Sequence, residues 1–199
     1  MKRTEVFIVF HLVVFVSGSG STLQSIIDHI QSGELEAKIN LVVSDNPSAF
    51  ALVRAKMSNI PTYVIKTKNM EERDTELIRE LAKYEVDLIV LAGYLKMIGN
   101  YILDNYTVIN THPSLLPKFG GKGMYGINVH KAVIEAGEKE SGVTCHYVNS
   151  KYDEGNIIAQ TKVLIDENET PETLAKKVQD AEKPQLIQVI KGLIEQSLA

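Results

Sequence analysis

The chain has 199 residues, with 21 lysines and arginines against 25 aspartates and glutamates, for a net charge of −4. That length points to one domain with a single core, and the absence of a basic run argues against nucleic acid as the main partner. The single cysteine, Cys145, excludes an internal disulfide and any multi-cysteine metal site.

The first element opens with Lys2-Arg3 and the apolar run Val6–Val16. A basic pair before an apolar run also begins a signal peptide. This run is too short to cross a bilayer as a helix, His11 interrupts it, and no Ala-x-Ala-like site follows. It reads as the buried first strand of a parallel sheet, over 5–16. The chain is therefore expected to be cytoplasmic, with no membrane partner.

Ser17-Gly18-Ser19-Gly20-Ser21-Thr22 joins this strand to a helix near 21–33. Glycines let backbone N–H groups approach a ligand, and a helix start favours an anion, so a single phosphate is the natural guest. The turn lacks the Gly-Lys-Ser/Thr ending that suits a nucleoside triphosphate, and Leu23 stands where a dinucleotide fingerprint has its third glycine. A plain tight turn with Ser21 capping the helix is the alternative.

A strand near 38–44, a helix near 47–58, a short strand near 62–65 and a helix near 70–84 follow. A strand at 86–92, a short helical segment and a strand near 106–110 continue the alternation. This pattern predicts an α/β fold: a single domain built on a mostly parallel open sheet with helices on both faces. After the strand at 86–92, Gly93-Tyr94-Leu95-Lys96-Met97-Ile98 offers apolar side chains and free backbone groups that could clamp a flat heteroaromatic ring. Helix packing is the alternative reading of the same spacing.

Asn110-Thr111-His112-Pro113-Ser114-Leu115-Leu116-Pro117 ends the parallel part. Its prolines and serine stop regular structure just after the histidine. Asn110 and His112, two residues apart in extended chain, point the same way off the strand end. A long loop over 111–127, a helix over 128–137 and strands over 142–149 and 156–165 come next. Tyr152-Asp153-Glu154-Gly155 lies between those strands, which predicts a C-terminal hairpin extending the sheet. Cys145 sits in the apolar alternation Val143–Val148 and reads as core. A terminal helix starts near Pro171 with Thr170 as its cap.

In open α/β sheets the ligand sits beyond the carboxyl ends of the strands. Ser17–Thr22, Ala92–Ile98 and Asn110–His112 all fall at such ends. Asn110 can donate an N–H to a carbonyl oxygen that gains charge. His112 titrates near neutrality and can shuttle a proton. Asp153 would hold the imidazole and raise its pKa, provided its turn folds over the strand ends. No serine or cysteine stands beside an evident base, so covalent catalysis is not required. His112 and Asp153 are two metal ligands at most, and His130 and His146 read as ordinary helix and strand residues, so no metal is expected.

These segments together carry a resemblance. Ser17-Gly18-Ser19-Gly20-Ser21, Leu91-Ala92-Gly93-Tyr94, Ile109 through Lys118, and Gly142-Val143-Thr144 through Asp153-Glu154-Gly155 resemble the folate-dependent formyltransferases. Within that group, the length of the chain is similar to that of the phosphoribosylglycinamide formyltransferase family. It leaves no room for the extra C-terminal domain of methionyl-tRNA formyltransferase or the N-terminal regulatory domain of formyltetrahydrofolate deformylase.

The resemblance implies a Rossmann-like formyltransferase fold. It also implies 10-formyltetrahydrofolate as cosubstrate, 5'-phosphoribosylglycinamide as the other substrate, no metal, and a monomer or weak homodimer. It assigns catalysis to Asn110, His112 and Asp153, and the substrate phosphate to Gly20, Ser21 and Thr22. Folate falls to Leu95, Lys96, Met97, Ile98 and Asn110, and the substrate ribose or amine to Glu182. The phosphate-binding half would run over about 1–92 and the folate-binding and catalytic half over about 93–199.

Three positions depart from the family pattern. Thr22 stands for its usual Asn. Met70 stands for a folate-contacting Arg, with Arg73 close by. Gly120–Gly126 is glycine-rich, which suggests a mobile lid. Two other readings remain: formyl transfer to a different amine, such as an amino sugar nucleotide, and a non-catalytic phosphate- or nucleotide-binding module.

Overall fold

The apolar N-terminal run forms the middle of the sheet. In the computed structural model, which describes residues 9–199, β1 (Phe10–Val16) pairs in parallel with β2 (Ala37–Ser44) on one side and with β4 (Leu88–Leu91) on the other. Every residue of β1 except His11 is buried. A strand covered on both faces needs no polar alternation, which explains the continuous apolar run. The part of the expected strand at 5–8 lies outside the described residues.

Among the described residues the sheet has seven strands in the order β3-β2-β1-β4-β5-β6-β7, with β3 at Thr62–Val64, β5 at Val108–His112, β6 at Glu140–Tyr147 and β7 at Ile157–Leu164. The first five strands run parallel, and β6 and β7 are antiparallel additions. Helices α1 (Ser21–Gln31) and α2 (Phe50–Met57) pack with the second half of α6 (Pro171–Leu198) over one face. Helices α3 (Met70–Leu81) and α4 (Asn100–Asn105) cover the other. Helix α5 (Ile127–Glu135) docks on the start of α6 and on β6 through Val129, Val133, Val143, Leu174 and Val178. The single-domain α/β architecture with its C-terminal hairpin is the one expected.

The element ends differ from expectation for local reasons. Helix α2 starts at Phe50, not near 47, because the Asn46 side chain accepts from the Ser48 N–H and holds a turn there. The strand expected near 106–110 lies two residues further on, at Val108–His112. Its pairing with β6, Asn110 opposite His146 and His112 opposite Thr144, extends it to the residue before Pro113, where the missing N–H ends it. Helix α6 is capped reciprocally by Thr170 and Thr173 and runs through Pro184.

Candidate active site

A cavity of about 1060 Å³ opens at the carboxyl ends of β4 and β5. Its floor carries Asn110, His112 and His146, and its walls include Leu95–Ile98, Gly121–Gly126, Tyr152, Asp153, Gln179 and Glu182. Asn110 and His112 point into it together because they alternate on one face of β5. The β6–β7 connection folds back and brings Asp153, in the left-handed region at φ 56°, over the strand end.

His112 is buried and held on both edges. Its Nε2 lies 2.8 Å from the Phe119 carbonyl oxygen, and its Nδ1 lies 3.4 Å from Asp153 Oδ2. A carbonyl only accepts, so Nε2 carries the hydrogen. Burial holds the His112 pKa below the ordinary histidine range; Asp153 and the Phe119 carbonyl push it back up, and His146 pushes it down. The expected upward shift from Asp153 is therefore outweighed by desolvation. Asp153 stays below the usual carboxylate range despite its burial, with His146, His112 and the Gly121 N–H favouring its charged form. That N–H donates to Oδ2 at 2.8 Å.

Asn110 is oriented by His146, expected from the sequence to be an ordinary strand residue. His146 Nδ1 lies 2.8 Å from the Tyr147 carbonyl and must donate to it. In the neutral ring His146 Nε2 is then an acceptor and receives one amide hydrogen of Asn110 at 3.3 Å; in the protonated ring it carries its hydrogen toward Asp153 Oδ1, 3.7 Å away. The second amide hydrogen of Asn110 is left for the cavity. His130, buried in α5, also lines the cavity, and its Nδ1 has no partner. Burial, then His112, lowers its pKa. Ser114 is structural: its Oγ donates to the Lys118 carbonyl at 2.7 Å. Thr144 anchors the same turn, donating to the Ser114 carbonyl and accepting from the Leu116 N–H.

Gly20, not Ser21, is the N-cap of α1, and it makes no side-chain capping bond. The first-turn N–H groups of α1 thus lack a side-chain acceptor, as an anion site requires. Ser21 Oγ accepts from Gln179 Nε2 at 3.0 Å. Thr22 is buried, and its hydroxyl donates to Glu182 Oε1 at 3.2 Å. Thr111 donates to the same oxygen at 2.7 Å. Burial raises the Glu182 pKa against these two bonds. The first turn of α1 is thus tied to the cavity wall by two residues of α6. Nothing local in the sequence marks Gln179, which lies far along the chain on an exposed helix face.

Leu95–Ile98 lines the cavity as irregular chain. It is held from both sides: the Leu95 N–H donates to Ser17 Oγ at 3.1 Å, and Arg73 Nη2 donates to the Met97 carbonyl at 3.0 Å. Arg73 is buried behind this segment, while Met70 is exposed at the start of α3. Neither residue is among those lining the cavity.

The arrangement joins an amide donor for a carbonyl oxygen to an imidazole–carboxylate pair that can carry a proton. A family model described as formyl transferase matches residues 10–190. The chain belongs to the formyl transferase family. Over 193 residues it is 40% identical to the Arabidopsis thaliana protein named phosphoribosylglycinamide formyltransferase, chloroplastic, covering 94% of this chain and 66% of that protein. It is 37% identical over 186 residues to the phosphoribosylglycinamide formyltransferase of Bacillus subtilis, covering 91% of this chain and 93% of that one. The crystal structure of phosphoribosylglycinamide formyltransferase from Bacillus halodurans superposes with a TM-score of 0.87 at 33% identity, covering 94% and 96% of the two chains. The chain thus spans just under two thirds of the plant relative and nearly all of the bacterial ones. Like the formyl transferase of known structure, it is one α/β unit. Among the described residues, no cluster of three or more His, Cys, Asp or Glu is arranged to hold a metal ion. No helix among them is long and apolar enough to cross a membrane.

Proposed function

We propose that this chain transfers the formyl group of 10-formyltetrahydrofolate to the amine of 5'-phosphoribosylglycinamide. The observation that carries this reading is the meeting of Asn110, His112 and Asp153 at one cavity whose far wall, Gln179 and Glu182, bonds to the first turn of α1. The names and overlap of the bacterial relatives support it.

In this reading the phosphate binds the backbone of Gly20, Ser21 and Thr22, and Glu182 faces the ribose or amine. The pterin lies along Leu95, Lys96, Met97 and Ile98. The free amide hydrogen of Asn110 donates to the formyl oxygen as the amine attacks the formyl carbon. His112 Nδ1 accepts the proton that the amine loses. It returns that proton to the folate nitrogen as the bond from nitrogen to the formyl carbon breaks. Nε2–H stays on the Phe119 carbonyl throughout, and Asp153 stabilises the transient imidazolium. Residues 1–92 supply the phosphate site and 93–199 most of the rest.

No step of this chemistry calls on a metal. We infer a cytoplasmic enzyme that acts as a monomer or weak homodimer. Cleavage near Ser19 would remove the central strand β1 and the phosphate loop's anchor, which argues against export.

Isothermal titration tests the substrate. Phosphoribosylglycinamide should bind with a defined stoichiometry, and amino sugar nucleotides should not. Tighter binding of an amino sugar nucleotide would overturn the assignment of the acceptor.

A further inference from the structure

We propose that Gly120 is a positioning residue, through which the loop backbone fixes the proton of His112 on Nε2 and leaves Nδ1 as the exchanging nitrogen. This deepens the formyl-transfer reading and rests on it.

Three residues in a row form a clamp. The Phe119 carbonyl accepts from His112 Nε2 at 2.8 Å, and the Gly121 N–H donates to Asp153 Oδ2 at 2.8 Å. The loop backbone therefore grips both members of the pair, one as acceptor and one as donor. Gly120 lies between the two grips, where a side chain would press on both Leu116 and Asp153. A Cβ there would stand 2.6 Å from Leu116 Cδ2 and 3.2 Å from Asp153 Cβ. Space imposes this glycine, since its φ lies outside the left-handed region. Phe119 and Asp153, by contrast, hold left-handed backbone at φ 55° and 56°. Non-glycine residues keep that conformation when their surroundings over-determine it.

Asp153 from the β6–β7 connection and His146 from β6 are the titratable groups that act on His112, and His112 in turn acts on His130 of α5. Asp153 is the only carboxylate among them, and it faces Nδ1. A proton that arrives at Nδ1 therefore meets a counter-charge. Nε2 already shares its hydrogen with Phe119.

The test uses the full chain with ¹⁵N-labelled histidine, the His112 signals being assigned with His112→Gln. In the wild-type protein, neutral His112 should show the Nε2–H tautomer. In Gly120→Ala the clamp is pushed aside. Turnover should fall by about 10- to 100-fold, as for misplaced catalytic groups generally, with both Michaelis constants little changed. His112 should then titrate at lower pH, because the Phe119 carbonyl no longer favours its charged form. A wild-type His112 protonated on Nδ1 overturns the proposal. So does a folded Gly120→Ala protein with wild-type turnover and titration. If Gly120→Ala does not fold, the wild-type tautomer decides. If the wild-type protein transfers no formyl group, the functional reading fails, and the tautomer still decides the clamp.

Discussion

Asn110 has two amide hydrogens, and one is committed to His146. The other is the oxyanion donor in this account. Loss of one such donor typically costs about 100- to 1000-fold in turnover. Asn110→Ala should show that loss in kcat at saturating 10-formyltetrahydrofolate, with a smaller change in cosubstrate affinity. A collapse of affinity with turnover preserved would make Asn110 a binding residue only.

Asp153→Asn keeps the shape and removes the charge. In the proposed mechanism activity needs neutral Nδ1, so the acidic limb of the pH–rate profile should follow the His112 pKa. Asp153 raises that pKa against the dominant effect of burial. Its removal should therefore move the limb to lower pH while lowering kcat. A limb that moves to higher pH would contradict the assignment. Asn110 and His112 were legible because their two-residue spacing at a strand end puts them on one face. His146 was not, because its role depends on the register that sets it opposite Asn110, and that register joins residues far apart in sequence.

Among the elements, the start of α1 bears most directly on substrate binding. Gly20 holds φ 73°, and a Cβ there would stand 2.5 Å from Ala51 Cβ. Gly20→Val should raise the Michaelis constant for phosphoribosylglycinamide strongly, since both the turn and the helix start must shift. An unchanged constant in a folded Gly20→Val protein would remove the phosphate from this loop. The strand-and-helix alternation was legible because two-sided burial produces long apolar runs such as β1 and β4. The chain over 113–126 was legible only as a loop. Its path is decided by bonds to Asp153, Thr144 and Glu138 in distant elements, which local propensity cannot register. The place of Arg73 is set in the same way: a long cation near the start of α3, it turns inward to the Met97 carbonyl.

On the scale of the whole molecule, the site is assembled by chain return. Helix α6 comes back across the sheet and bonds the start of α1, joining Gln179 to Ser21 and Glu182 to Thr22. The proposed phosphate-binding half is therefore completed by the C-terminal helix, and neither half holds the whole site. The central claim is that this assembled cavity moves a formyl group through His112. Steady-state formyl transfer from 10-formyltetrahydrofolate to phosphoribosylglycinamide, compared between the wild-type protein and His112→Ala, tests it most directly. The wild type should transfer robustly and His112→Ala should lose most of that activity, general acid–base catalysis being worth about 100- to 10,000-fold, with substrate affinities retained. No transfer by the wild type, or near-normal turnover in His112→Ala, would contradict it.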